Sequence, residues 1–96
     1  MHKIIELYNQ SVDAAESRPL FKCLDLRSER LSGASLSCSD WIECDLRDSI
    51  FVDCDLRGAC FLESDLRNTR FEGCSMFGCE LPNIDSIECI DCTIQL

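Results

Sequence analysis

Large apolar residues recur every five positions over most of this chain. Stepping by five from Phe21 gives Leu26, Leu31, Leu36, Trp41, Leu46, Phe51, Leu56, Phe61, Leu66, Phe71, Met76 and Leu81. Two residues before them runs a second series, and from Ala34 onward it is small: Ser39, Cys44, Ser49, Cys54, Ala59, Ser64, Thr69, Cys74 and Cys79. Leu24 and Glu29 break the second series near its start. All four glycines, Gly33, Gly58, Gly73 and Gly78, share one further phase, a coincidence expected about once in 125 trials. A helix repeats every 3.6 residues and a strand every 2.0, so neither accounts for a period of five. A short extended unit followed by a bend does. Residues two apart in an extended unit point the same way, so the small and the large residue share one side. Glycine at the last position suits a bend that needs unusual backbone angles or close approach.

A period of twenty lies over the first. Asp-Leu-Arg stands at 25–27, 45–47 and 65–67, with a fourth copy at 55–57, and Phe21, Trp41, Phe61 and Leu81 are also twenty apart. This predicts a coil of four five-residue sides. Successive coils stack at about 4.8 Å with backbone hydrogen bonds between them. The thirteen units make a little over three coils. Before them, Ile4, Leu7, Tyr8, Val12 and Ala15 form a helical stripe that Ser17-Arg18-Pro19 ends. Residues 1–18 therefore read as an amphipathic helix capping the coil of residues 19–83. After Asn83 the count falls on Ser86 and Asp91, and a shift of three restores the spacing with Ile87/Cys89 and Cys92/Ile94. Residues 84–96 read as an irregular final coil or a C-terminal cap.

Units such as Cys44-Asp45-Leu46-Arg47-Asp48, Cys54-Asp55-Leu56-Arg57-Gly58 and Ser64-Asp65-Leu66-Arg67-Asn68 resemble those of the pentapeptide-repeat family, which read A/S/C-D/N-L/F-x-x. The resemblance covers about two thirds of the chain. It implies an all-β solenoid, a right-handed quadrilateral β-helix of three to four coils, with the N-terminal capping helix similar to that of some members.

Folded this way, the sequence divides into four faces. One carries Asp25, Asp45 and Asp65 outside beside Arg27, Arg47 and Arg67, a ladder that neutralises itself. Another has Phe21, Trp41, Phe61 and Leu81 inside, and Asp40, Glu43, Glu63 and Glu80 outside, interleaved with Ile42, Leu62 and Pro82. Acids beside exposed aliphatics make this strip the candidate interaction face. At the C-terminal end Ile84, Ile87, Ile90 and Ile94 would be costly to leave in water, so this end is expected to be buried in a homodimer.

Composition narrows the function. Eighteen acids against nine bases give a net charge of −9, which argues against direct binding to nucleic acid or an anionic membrane and is compatible with a basic partner. Nine cysteines is an odd count, and no apolar run has signal-peptide length, so a cytoplasmic protein with reduced thiols is expected. Cys44, Cys54, Cys74 and Cys79 are explained as small inward residues, and Cys23, Cys38 and Cys60 fall at outward or corner positions. Cys89-x-x-Cys92 is a single pair where zinc wants four ligands, and His2 is the sole histidine. No nucleophile–histidine set or phosphate-binding glycine loop is visible. The sequence thus points to a non-catalytic interaction or structural module with no cofactor and an unknown protein partner. One alternative comes from the resemblance: some family members are acidic rods that mimic DNA and bind a type II topoisomerase such as gyrase, protecting it from drugs or toxins. A second alternative is a thiol redox or metal module, and a third a self-associating rod.

Overall fold

The computed structural model describes residues 19–93, so the capping helix expected over residues 1–18 lies outside the described residues. The described chain forms β1 (Leu20–Lys22), β2 (Arg30–Ser32), β3 (Asp40–Asp45), β4 (Ile50–Val52), β5 (Cys60–Asp65), β6 (Arg70–Glu72) and β7 (Glu88–Ile90). All pairing is parallel, in two sheets ordered β1-β3-β5 and β2-β4-β6-β7. Partners stand twenty residues apart, as in Phe21↔Trp41, Leu31↔Phe51 and Phe51↔Phe71. Single parallel bridges, Asp25↔Asp45, Ser35↔Asp55 and Asp55↔Ser75, join the other two sides. The described chain is therefore an all-β solenoid of about four turns, each with four sides.

Every fifth side chain from Phe21 to Met76 is at most 2% exposed. Two opposite sides contribute aromatic columns. Phe21, Trp41 and Phe61 stack with ring centroids 4.3 and 5.1 Å apart, and Phe51 stacks on Phe71 at 5.1 Å. The columns meet edge to face across the tube at 5.9–6.0 Å, an arrangement that the ring quadrupoles favour. Leu26, Leu46 and Leu66 fill a third side, and Leu36, Leu56 and Met76 the fourth.

The small position has a second requirement. It sits where the backbone turns inward, so any polar atom there must find a partner. Ser39 and Ser49 donate to the carbonyls of Leu36 and Leu46 at 2.7 Å, and Thr69 reaches the Leu46 carbonyl at 2.7 Å. The Cys44, Cys54 and Cys74 thiols donate to the carbonyls of Phe21, Leu31 and Phe51 at 3.2–3.4 Å. Among the described residues no buried side-chain nitrogen or oxygen lacks a partner.

The bend position explains the shared phase of the glycines. Gly33, Gly58, Gly73 and Gly78 have φ of 63–71°, and so, at 52–62°, do Cys23, Ser28, Cys38, Glu43, Asp48, Asp53, Asn68 and Asp91. Glycine is free of the Cβ penalty in this left-handed region. At Gly58 a Cβ would also lie 3.2 Å from Cys38 Sγ. Glu63 breaks the series: β5 carries a bulge, with Asp40↔Cys60 giving way to Ile42↔Glu63 before Asp45↔Asp65 restores the register. Ser64 Oγ bridges the bulge, accepting from the Cys44 amide and donating to the Trp41 carbonyl.

The final turn is two residues shorter than the others. Cys60 still pairs with Glu80, but Arg70 pairs with Glu88, Phe71 with Cys89 and Ser75 with Thr93, all eighteen apart. The shortening falls between the inward residues Leu81 and Ile84, where the Ile84 amide donates to the Pro82 carbonyl in a three-residue turn. Ile84, Ile87 and Cys92 pack against the core, and Cys89 takes the place above Phe71. The Asn68 amide bonds to Ser86 Oγ, where Ser28 and Asp48 use the carbonyls of Arg47 and Arg67.

Candidate interaction surface

The Asp-Leu-Arg corners are local devices. In each, the aspartate accepts from the amide two residues on and from the same arginine's guanidinium through Nε and Nη2. The two side-chain bonds are 2.9 and 2.9 Å at Asp25, 2.8 and 2.7 Å at Asp45, 2.8 and 2.6 Å at Asp55, and 3.0 and 2.7 Å at Asp65. Contacts to the next coil are longer: Arg27 Nε–Asp45 Oδ2 is 3.8 Å and Arg47 Nε–Asp65 Oδ2 is 4.0 Å. Self-neutralisation is thus mainly within each unit. These arginines hold the Asp45, Asp55 and Asp65 carboxyls below the usual carboxylate range.

A pH dependence follows. A carboxyl with a lowered folded pKa contributes stability that is full above its unfolded value, about 3.9, and is lost as pH falls through the folded value. Loss of stability on acidification below about pH 4 should therefore be smaller in the triple variant Asp45→Asn/Asp55→Asn/Asp65→Asn than in the parent. Urea titrations at neutral and acid pH measure this.

Residues 19–93 hold seven bases and fifteen acids. Five of the bases, Arg27, Arg47, Arg57, Arg67 and Arg70, are ion-paired with Asp25, Asp45, Asp55, Asp65 and Glu72. The acid excess therefore lies elsewhere, and much of it surrounds the outer face of β1-β3-β5. There one row runs Leu20, Asp40, Cys60, Glu80, and another holds Lys22 and Ile42 with Leu62 beside the bulge. Leu20 and Leu62 are each 50% exposed. A shallow depression of about 200 Å³ is lined by Asp40, Trp41, Ile42, Cys60 and Glu63. Glu43, Glu63 and Glu80 form no ion pair among the described residues. Asp40, Ile42, Glu43, Leu62, Glu63 and Glu80 thus share one side of the solenoid. Sequence reasoning missed Leu20, whose signal was its place one residue before Phe21, in phase with Asp40 and Glu80. It also missed the bulge, for which the five-residue pattern carries no signal.

The C-terminal residues divide. Ile84 and Ile87 are half-buried against the core. Ile90 instead lies in an outward row with Val52 and Glu72 and is 36% exposed, and Ile94 lies outside the described residues.

All nine cysteines are free. Burial pushes the Cys44 thiol up and that of Cys79 up to about 12, and the adjoining Cys54 thiol together with burial raises Cys74. Burial also raises Cys89 and Cys92, so this pair is held protonated rather than activated. Among the described residues no group of three or more His, Cys, Asp or Glu is arranged to hold a metal ion.

Comparison with known proteins agrees with this geometry. Residues 30–61 match a family model described as pentapeptide repeats (8 copies). No curated protein matches the chain. The matched stretch runs from the start of β2 into β5, and the same inward pattern continues on both sides of it, to Phe21 and to Met76. This chain carries pentapeptide repeats, which the family model places at residues 30–61.

Proposed function

We propose that this protein is a non-catalytic interaction module whose outer β1-β3-β5 face receives a protein partner. The observation that carries this reading is the exposed residues Leu20 and Leu62, flanked by Glu43, Glu63 and Glu80, which have no basic partner among the described residues. The Asp-Leu-Arg corners and the Arg70–Glu72 pair close their own charges locally, and the tube is filled by its own side chains, leaving shallow, open depressions. A partner covering this face would remove apolar surface from water and bring base to an acidic rim. The test is a photo-crosslinker placed at position 62 and, separately, at Ser75 on another side. In the native host, a discrete crosslinked partner from position 62 and none from position 75 supports the reading. Equal or absent crosslinking from both overturns it.

A second reading has its own support. Because Arg27, Arg47, Arg57 and Arg67 are each bound by their own aspartate, they do little to cancel the remaining acids, and the rod keeps a negative exterior. That suits an acidic mimic of DNA directed at a type II topoisomerase. A gyrase supercoiling assay decides it: neither inhibition nor protection at stoichiometric excess removes this reading.

A further inference from the structure

Beyond the face just described, we infer that the C-terminal edge of the solenoid is a strand-addition site for a basic, extended segment of a partner protein. Among the described residues β7 is the outermost strand of the β2-β4-β6-β7 sheet, and all three of its residues are exposed. The hydrogen-bond pattern of the earlier turns shows which groups it presents. Inward large residues donate their amides forward to the next turn, as Leu46 does to Asp65 and Phe61 to Glu80. Corner residues do the same, as Asp53 to Glu72 and Gly73 to Ile90. Small-position carbonyls accept from the next turn, as Thr69 from Glu88 and Cys74 from Thr93. In the last turn these phases fall on the amides of Cys89 and Asp91 and the carbonyls of Ile87 and Cys92. The edge therefore offers a donor and acceptor row spaced for one more parallel strand, the arrangement that β-augmentation uses.

Charge selects the occupant. The last turn carries Asp85, Glu88 and Asp91, and no Lys or Arg follows Arg70. A second copy of this chain would set these acids against the same acids across a twofold axis, which like-charge repulsion disfavours. A segment alternating Lys or Arg with aliphatic residues places bases beside the acids and apolar side chains over Ile84, Ile87 and Cys89. Attraction of this kind weakens with salt.

The probe is a synthetic peptide, Lys-Val-Lys-Ile-Lys-Val-Lys, added to the full chain labelled for NMR. The expected result is saturable shifts at Cys89 and Asp91, with amide exchange at both slowed at least tenfold. The Glu-for-Lys peptide, and a peptide N-methylated at alternate amides, should bind at least tenfold more weakly. The variant Glu88→Lys/Asp91→Lys should weaken binding of the basic peptide by a similar factor while leaving the spectrum of the first three turns unchanged. Three results would overturn the inference. The amides of Cys89 and Asp91 could exchange freely at saturating peptide, or the peptide could shift only the β1-β3-β5 face. Sedimentation could also give a dimer in which both amides are protected before any peptide is added.

Discussion

Replacing Phe51 by alanine should lower the unfolding free energy by about 3–5 kcal/mol, whereas replacing it by leucine should lower it by less than about 1.5 kcal/mol. Phe51 is fully buried at the centre of the tube, stacked on Phe71 and edge-on to Trp41 and Phe61. Alanine removes both the transfer energy of the ring and the contacts lining the space it leaves. Leucine keeps most of the volume, and the same column already accepts Leu31 directly opposite Phe51 in the preceding turn. In a solenoid each turn is held by its neighbours, so a cavity in the middle loosens the turns on both sides. A domain of this size has about 5–15 kcal/mol in total, so the alanine variant should be partly unfolded in modest urea. Fluorescence of Trp41 measures both variants. An alanine variant within about 1 kcal/mol of the parent would mean that the ring is not in the core.

The second large effect should come from a surface position. Gly58→Val should destabilise the fold by about 2 kcal/mol or more, although no core side chain changes. Gly58 has φ of 71° and donates its amide to the Phe77 carbonyl in the next turn. A β-branched residue is strained at that φ, and its Cβ would also press on Cys38 Sγ at 3.2 Å. The reciprocal change Asp48→Gly, at φ 62°, should alter stability by less than about 1 kcal/mol. There, release of left-handed strain opposes the extra freedom of the unfolded chain. Thermal unfolding of the two variants compares the costs. Equal losses would show that the bend does not require its conformation.

The five-residue period made the inward series legible because a filled tube tolerates no polar or undersized residue on its axis. Phe21 to Met76 are buried where the period placed them. The last turn was harder to place. Its register change is a loss of two residues between Leu81 and Ile84, and that change depends on how Pro82 turns, not on any hydrophobic period. The shift that puts Ile87 and Cys89 in phase can be read, but not where the chain shortens. On the surface, outward positions follow from inward ones, which is why the sequence groups Asp40, Ile42, Glu43, Leu62, Glu63 and Glu80 together. It described the Asp-Leu-Arg units as a ladder between coils. The forks close mainly within each unit, because the aspartate at the corner turns back on its own arginine. The bulge at Glu63 was invisible, since it changes backbone pairing without changing which residues are apolar.

The filled tube depends on side-chain phase, and the nine cysteines sample that phase around the coil. Cys44, Cys54 and Cys74 are buried in the small inward position, while Cys23 and Cys38 stand exposed at bends. Thiol alkylation of the folded protein, followed residue by residue by mass spectrometry, reads all of them at once. Cys23 and Cys38 should be modified at once, and Cys44, Cys54 and Cys74 only at the rate at which the whole domain unfolds. Modification of Cys44 or Cys54 as fast as Cys23 in the folded protein would contradict the filled four-sided tube.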